Sequence, residues 1–310
     1  MVDLKIQLPE SFLEEEERCG YLVSHEMKKA WAVMLDLLAE FDRVCKKHSL
    51  KYYATGGTLL GSVRHEGFIP WDDDIDLMMF REDYNKLMKI GPDEFRHPYF
   101  LQNKFTDPTA SDFLAKFRNS DTTSLYEAEK KCLLPYNKGI FIDIFPYDNV
   151  PDDVNLRKAF FDELEKKRNE IFSYGRSLGI FSASSNSFEM FIKNTLYYLL
   201  YFKRKKNIKS YLKLISEYDE LCSQFASDKT EFVTSFVFGP KEELFRSRND
   251  FSDCLERDFE FLKVPICSGF HHFLTDAFGD YMKFVRGTSW HSEIFFDTDK
   301  AYKEYTHSLQ

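Results

Sequence analysis

The sequence of 310 residues lacks the features of several protein classes. Its six cysteines form no CxxC pair and stand near no histidine at zinc-like spacing, so neither a disulfide framework nor a structural zinc site is expected. No stretch reaches ~18 apolar residues, and the N-terminus has no basic region followed by an apolar run. We therefore expect a cytoplasmic protein with free thiols and without a membrane-spanning helix.

An excess of positive charge is also missing. The net charge is −9, whereas a protein that binds nucleic acid through its phosphates needs a basic face. Nucleic acid is therefore not an expected partner.

Apolar residues, in contrast, are abundant. The chain is 43% hydrophobic and 17% aromatic, which is enough for a large core. Within residues 1–150 the pattern predicts an N-terminal helix and then an α+β core, in which strands and helices alternate with turns. Residues 151–310 have helical periodicity, so we predict a mainly helical second part.

Periodicity also predicts individual elements. Apolar residues recur at intervals of three and four from Glu26 to His48, which indicates an amphipathic helix. The other predicted elements of the first part are a strand in LKYYAT (50–55), a turn at Gly56 and Gly57, a helix in TLLGSVRHE (58–66), a strand in DIDLMMF (74–80), a helix in REDYNKLMKIG closed by Gly91, and strands in YFLQNK, FLAKFRN and GIFIDIFPYD (99–104, 113–119 and 139–148).

Four aspartates crowd into the segment WDDDID, directly before an apolar run. In an extended strand, the side chains of Asp74 and Asp76 share one face about 7 Å apart at their backbones, while Ile75 and Leu77 point into a core. Two carboxylates this close raise one pKa unless a cation neutralises them, so Mg²⁺ or Mn²⁺ is the natural counter-charge. A solvated acidic loop is the alternative, and the role of the two preceding aspartates stays open.

A third carboxylate is offered by GIFIDIFPYD. Ile142 and Ile144 flank Asp143, so a strand here would bury the isoleucines and project Asp143 from the opposite face. If this strand lies beside the Asp76 strand, three carboxylates converge, and they can hold two metals or one metal with a general base. The alternative is a buried pair between Asp143 and an Arg or Lys. Asp148, at the end of the run, is the weaker candidate.

The glycines upstream predict a phosphate site. Gly56, Gly57 and Thr58 would open a helix whose backbone N–H groups approach an anion without Cβ obstruction. Arg64 lies two turns further on and could bind a phosphate through two hydrogen bonds. The alternatives are a plain helix-opening turn and a surface salt bridge of Arg64.

A second possible contact is with a membrane. The segment FIKNTLYYLLYFKRKK (191–206) combines an aromatic, apolar run with four consecutive basic residues at its end, Lys203, Arg204, Lys205 and Lys206. It predicts peripheral contact with the anionic inner face of the plasma membrane. A core helix that ends in a solvated basic turn is the alternative.

Several of these segments together resemble the LicD family. GGTLLGSVRHEGFIPWDDDIDL and KGIFIDIFPYD resemble its two signature blocks, AKFRNSDTTS matches between them, and FGDYMKF is similar to the family's Tyr-Gly-Asp-Tyr-Met segment. The resemblance spans residues 30–150 and scattered points beyond. It implies a nucleotidyltransferase fold of the DNA polymerase β type, with a Gly-Gly turn, a D-x-D strand and a third acidic strand in a mixed sheet.

The resemblance also implies residue roles. On the family template Gly57 and Thr58 bind phosphate, and Asp74, Asp76 and Asp143 ligate the metal and form the catalytic centre. The inserted GFIPWDD lengthens the spacing between the glycines and the aspartates beyond the general superfamily pattern, which is itself a LicD feature.

Further substrate contacts follow from the implied chemistry. Lys116 and Arg118 share one strand face by parity and would stabilise charge on the phosphates, although exposed strand charges are the alternative. Trp71 could face a choline head group through a cation–π contact, but it is more often a packing residue. Near the C-terminus the chain lacks the prolines of the family, and Arg286 and His291 stand in for its basic stretch.

The implied activity is transfer of a substituted phosphate. Family members move a group such as phosphocholine from CDP-choline to a sugar hydroxyl of a surface glycan or its lipid-linked precursor, and fukutin-type relatives move ribitol phosphate. The expected partners are therefore a CDP-alcohol or CMP-activated donor and a glycan or lipid-linked oligosaccharide acceptor. Two alternatives stay open: a true nucleotidyltransferase, which attaches a nucleoside monophosphate, and a non-catalytic glycan-binding module.

Overall fold

A computed structural model describes residues 1–108, 110, 113–126, 136–178, 201–286 and 294–307. It confirms the α+β class, because helices from both parts of the chain accompany a mixed sheet. Across these ranges, none of the helices has the length and apolar character needed to cross a membrane.

The helices and strands of the described residues are numbered in chain order. The helices α1 to α7 are His25–Lys47, Gly56–Arg64, Arg81–Glu94, Val154–Leu178, Tyr201–Cys222, Phe270–Phe278 and Tyr302–His307. The strands β1 to β13 are Glu16–Arg18, Tyr21–Val23, Tyr53–Ala54, Asp76–Phe80, Tyr99–Gln102, Ala115–Asn119, Thr123–Tyr126, Phe141–Val150, Phe232–Thr234, Arg246–Ser247, Cys254–Phe259, Leu262–Cys267 and Ile294–Asp297.

Strand β8 is the centre of the main sheet, and all of its residues are buried. Strand β4 pairs with it in parallel, whereas β6 pairs antiparallel along its first half and β9 along its last three residues. Strands β3, β5 and β10 extend the sheet beyond β4, β6 and β9. The apolar residues on both sides of the FIDIF segment agree with this central position, because a strand covered on both faces buries nearly every side chain.

Helix α1 confirms the first predicted helix to within a residue at each end. It begins after Ser24, whose hydroxyl accepts a hydrogen bond from the N–H of Met27 at 3.2 Å. Its apolar stripe packs against β6 and β8. Trp31, which is fully buried, stacks on Phe68 with ring centroids 4.4 Å apart. The helix therefore supports both the sheet and the loop that follows α2.

Several predicted boundaries in this region were wrong. Strand β4 begins at Asp76 and not at residue 74, because its pairing with β8 starts there. Helix α2 already includes Gly56, since the Leu59 N–H bonds to the Thr55 carbonyl at 3.0 Å. Helix α3 runs past Gly91 to Glu94.

Gly91 has a packing role that explains the last difference. A Cβ atom there would lie 2.3 Å from the side chain of Leu101, so glycine permits β5 to approach α3 closely. The helix continues because the N–H of Phe95 still bonds to the Gly91 carbonyl. The glycine is therefore needed for contact and does not stop the helix.

The second part of the chain contains more strand than the sequence pattern indicated. Helices α4 and α5 confirm the helical periodicity of their segments. They pack on each other around Phe160, Ile171, Tyr211 and Tyr218. The antiparallel hairpin of β11 and β12 was missed. Strand β9 joins β8, and β13 pairs with β7. The division at residue 150 stays a prediction.

Candidate functional site

Three charged side chains form a row across the main sheet. Asp76 on β4 is opposite Asp143 on β8, and Asp143 is opposite Lys116 on β6. Paired residues on adjacent strands project from the same face, so the pairing brings the three together. Lys116 Nζ donates to Asp143 Oδ1 at 2.7 Å. Asp143 therefore lies beside Asp76, as the metal-site interpretation requires, and it also forms the buried ion pair with a lysine that was the alternative.

The loop before β4 adds a second group of carboxylates. Asp72, Asp73 and Asp74 each place an oxygen within 4.8 Å of the others. The indole N–H of Trp31 donates to the backbone carbonyl of Asp72 at 3.0 Å, so the buried face of α1 holds the loop in place. Asp74 belongs to this loop and not to the strand. Sequence reasoning left Asp72 without a role, and only its position in the acidic run hinted at one.

The predicted glycine turn lies directly against these acids. A Cβ atom on Gly56 would lie 2.8 Å from Asp76 Oδ2, and one on Gly57 would lie 2.5 Å from Asp72 Oδ2. Gly56 also has a φ of +53°, which favours glycine. Thr58 Oγ1 accepts the N–H of Asp76 at 2.8 Å. The first turn of α2 therefore positions two carboxylates, and phosphate binding by these residues stays a prediction.

Replacement of Gly57 by alanine should test this close approach. Alanine favours a helix interior by ~1 kcal/mol, but the new methyl group would displace the Asp72 carboxylate. We expect lower activity without a lower thermal midpoint, measured by product release and by calorimetry. In an Asp72→Ala background the same substitution should have no further effect on activity. An additional loss in that background would show that Gly57 does not act through Asp72.

The electrostatics of the site favour a bound cation. Burial raises the pKa of Asp76 well above its ordinary value, and the carboxylates of Asp74, Asp143 and Asp72 raise it further, against a smaller opposing effect of Lys116. Burial likewise raises the pKa of Asp72, with added repulsion from Asp74 and Asp73. Asp76 is thus the residue at which the loop carboxylates and the sheet row meet. Oxygen ligands from several carboxylates suit Mg²⁺ or Mn²⁺, so the residues present fit the expected metal.

The two predicted basic residues of β6 have different surroundings. Lys116 contacts Asp143, whereas Arg118 donates to Gln102 Oε1 at 2.6 Å and to the Gly139 carbonyl at 2.7 Å. Both cations lie over the ring of Phe141, at 4.0 and 4.6 Å from its centroid. Neither is an exposed strand charge, because Lys116 is 7% exposed and Arg118 2%. Lys116 belongs to the acidic site, and Arg118 supports the strand beside it.

The predicted Arg64 and Trp71 form an aromatic corner next to the acidic loop. Arg64 Nη1 donates to the Tyr281 carbonyl at 2.8 Å, and its guanidinium lies 5.1 Å from the centroid of Phe284. Trp71 makes edge contacts with Phe284 at 5.9 Å and with Tyr21 at 6.1 Å. The C-terminal FGDYMKF segment is therefore brought to the acidic loop by Arg64, which makes no surface salt bridge among the described contacts.

Two of the remaining candidates, Asp148 and Arg286, lie among the described residues. Asp148 is 1% exposed and accepts two hydrogen bonds from Arg81, at 2.6 and 2.7 Å, on the sheet face opposite Asp143. Arg286 lies over the ring of Tyr21, at 5.4 Å. His291 lies outside the described residues, and so does the first part of the segment predicted to contact a membrane, residues 191–200.

Comparisons with known proteins agree with this arrangement of motifs. Residues 49–174 match the family model described as LicD/FKTN/FKRP, nucleotidyltransferase domain. This range contains the glycines, the acidic loop and all three residues of the sheet row.

Individual relatives extend the match. The lipopolysaccharide cholinephosphotransferase LicD of Haemophilus influenzae is 29% identical over 265 residues, which cover 83% of this chain and 91% of that protein. An uncharacterized protein of Rickettsia prowazekii is 39% identical over 80 residues, 26% of this chain and 29% of that protein. An uncharacterized protein of Caenorhabditis elegans is 50% identical over 48 residues, 16% of this chain and 13% of that protein. Over residues 49–174 the chain is therefore similar to the LicD family.

Proposed function

We propose that this LicD-type transferase moves a substituted phosphate from a CDP- or CMP-activated donor to a sugar hydroxyl. The group is phosphocholine or a related phospho-alcohol or phosphonate, and the acceptor is a surface glycan or its lipid-linked precursor. The relative that aligns with 83% of the chain is named for transfer of phosphocholine to lipopolysaccharide, which supports this choice. We further propose a nucleotidyltransferase-type sheet and a cytoplasmic protein that contacts the inner face of the plasma membrane.

One observation carries the proposal: the acidic loop and the sheet row meet at Asp76. Asp72, Asp74 and Asp143 all act on the carboxylate of Asp76, and Lys116 supplies the opposing charge. A concentration of negative charge at one point is costly unless a cation is bound. Such a site suits transfer of an anionic phosphate, in which positioning and charge neutralisation provide most of the rate.

Asp72, Asp74, Asp76 and Asp143 are the residues proposed to hold Mg²⁺ or Mn²⁺. Bound there, the ion would neutralise the pyrophosphate oxygens of the donor. Asp143 would either complete this metal site or receive the proton of the acceptor hydroxyl. Lys116 Nζ donates to Asp143 Oδ1 at 2.7 Å and would hold that carboxylate in position.

The aromatic corner completes the proposed substrate site. Arg64 is positioned by its bond to the Tyr281 carbonyl and by its stacking on Phe284. Its guanidinium would face phosphate charge, and Trp71 beside it offers a flat apolar surface to the head group or the nucleoside. Trp71 directly precedes the acidic loop, and both residues contact Phe284, so they would contact the donor on one side of the reacting phosphorus.

The experiment that tests the proposal measures both products. Purified protein is incubated with CDP-choline, Mg²⁺ and an acceptor glycan, and CMP release and acceptor mass are recorded. A gain of one phosphocholine mass with one CMP released is expected, because attack at the β-phosphorus breaks the pyrophosphate bond. A gain of nucleotide mass would support the nucleotidyltransferase alternative instead. Absence of turnover with CDP-choline, CDP-ethanolamine and CDP-ribitol would favour the non-catalytic glycan-binding module.

The thermal midpoint should rise when Mg²⁺ or Mn²⁺ is added, and the rise should grow with pH. The pKa values of Asp76 and Asp72 are raised above the ordinary carboxyl value of 3.8. Without metal, the stability they contribute is therefore complete below that value and is lost as pH rises through the raised pKa values. A cation that binds the ionised carboxylates reverses this loss, by ~2.7 kcal/mol at a hundredfold excess over Kd.

Calorimetry between pH 5 and pH 8 with and without Mg²⁺ checks this expectation. Na⁺ at matched ionic strength is the control, since screening alone would act equally with either salt. An identical increment from Mg²⁺ in the Asp76→Asn variant would show that the ion binds elsewhere.

A further inference from the structure

A cavity lies on the face of the main sheet opposite the acidic site. It has a volume of about 350 Å³, and Pro146 and Asp148 of β8 line it. These residues differ in parity from Asp143, so they project away from the acidic site. The cavity lies between α3 and α5, and the segment after β5 borders it. Its volume is in the range of small-molecule sites, whereas close-packed interiors contain few voids larger than one water.

The walls of this cavity are mainly apolar and aromatic. Tyr84, Ile215 and Tyr218 are at most 7% exposed, and they line it together with Phe113. Phe105 also lines it, although 69% of that side chain is exposed, so the apolar lining continues to the protein surface. This arrangement suits an apolar chain that enters from the solvent side.

Charged groups in the same cavity carry an excess of positive charge. Arg81 contacts Asp148 through Nε and Nη2 and contacts Asp219 through Nη1 at 2.7 Å. Lys104 Nζ donates to Asp219 Oδ2 at 2.7 Å, and Lys89 lines the cavity from an exposed position. Three cations therefore face two carboxylates, which leaves one positive charge in excess. The cations that reach solvent, Lys89 and Lys104, are the ones able to meet an anionic group at the opening.

We propose that this cavity binds an amphiphile with a single apolar tail and an anionic head. The tail lies among the aromatic walls, and a carboxylate or phosphate monoester contacts Lys89 and Lys104. The two possible heads share one chemistry, and they would come from different sources, a fatty acid or a lipid phosphate. The site is on the face opposite the catalytic carboxylates and does not rest on the proposed transferase activity.

Titration calorimetry with the full chain tests the proposal through chain length and head charge. The probes are hexyl and octyl phosphate, hexanoate and octanoate, octyltrimethylammonium, and inorganic phosphate. Affinity should rise about fourfold per methylene for at least one anionic series, because the free energy of transferring one methylene from water to an apolar site corresponds to about that factor. Binding of the alkyl phosphates alone would indicate a lipid phosphate, and binding of the carboxylates alone would indicate a fatty acid. Binding of both series would also support the proposal and would show that the site accepts either head. Equal binding of the cationic amphiphile, or affinity independent of chain length, would overturn the proposal.

A matched pair of variants on α3 tests the role of the head. Lys89 lines the cavity. Lys86, one turn earlier, is not among the lining residues and pairs with Glu82 at 2.8 Å. Lys89→Glu should weaken the anionic amphiphile about three- to tenfold, while Lys86→Glu should leave its affinity unchanged. Equal effects of the two reversals would indicate general surface electrostatics and would count against the site.

A thiol supplies a local readout of occupancy. Cys222 lines the cavity, whereas Cys45 and Cys267 are equally buried and do not. Octyl phosphate or octanoate should slow maleimide labelling of Cys222 at least threefold, measured by peptide mass spectrometry, without changing the other two. The Ile215→Trp variant, which fills the cavity, should abolish binding, and Phe105→Asp at the opening weakens it without disturbing a buried residue. Unchanged labelling of Cys222 at saturating probe would place the ligand elsewhere.

Discussion

Replacement of Asp76 by asparagine should lower CMP release by about a thousandfold. The carboxylate of Asp76 is in the electrostatic range of Asp74, Asp143 and Asp72. Loss of one charged metal ligand removes several kcal/mol of transition-state stabilisation, and ~4 kcal/mol corresponds to about a thousandfold. Asparagine has nearly the size of aspartate, and the backbone N–H of residue 76 can still donate to Thr58 Oγ1.

Stability separates this effect from misfolding. Since the ionised Asp76 is repelled by its neighbours, the asparagine variant should unfold at the same or a higher temperature when no metal is present. Asp93→Asn, an exposed position on α3, is the matched control and should retain full activity. Wild-type turnover by Asp76→Asn would refute the assignment of the site, although the fold would be unaffected.

The second large effect is on stability. Arg81→Met should lower the free energy of unfolding by ~3–5 kcal/mol, because it leaves Asp148 buried without its partner. Arg81 and Asp148 are 4% and 1% exposed, and two hydrogen bonds of 2.6 and 2.7 Å join them. Asp219 loses a contact as well. Chemical denaturation with an unchanged m-value is the appropriate measurement.

The double variant Arg81→Met with Asp148→Leu shows whether the cost comes from the uncompensated charge. Replacement of a whole buried ion pair by apolar residues is often nearly neutral, so we expect the double variant to recover much of the loss. Lys86→Met, which removes an exposed pair on the same helix, should leave the unfolding midpoint unchanged. If the double variant were as unstable as Arg81→Met alone, packing around the arginine would be the main contribution.

The local motifs of the site could be predicted from the chain because they depend on neighbours in sequence. Alternation assigned Ile75 and Leu77 to the core and Asp76 to the open face, and both apolar residues are fully buried. It also placed Asp143 on the face opposite Ile142 and Ile144. The period of three and four predicted the first helix to within a residue at each end. These features follow from backbone geometry, which repeats identically along every strand and helix.

Periodicity was less informative where tertiary contacts override local preference. Gly91 was expected to end α3, but it serves the approach of Leu101 and the helix continues. The strand in DIDLMMF was expected to begin at Asp74, whereas its pairing with β8 begins two residues later, at Asp76. The hairpin of β11 and β12 was missed because short strands have weak signals in a helical context.

The sequence by itself determined the chemistry available to this protein: the glycine turn, the crowded aspartates, the acid between two isoleucines and the motifs that match the LicD family model over residues 49–174. The tertiary structure decided which of these groups meet. Strand register set Lys116 against Asp143, the buried Trp31 drew Asp72 into the acidic site, and Arg64 tied the C-terminal segment to it. The physical reason is that register and packing depend on contacts between distant residues, which no local period encodes.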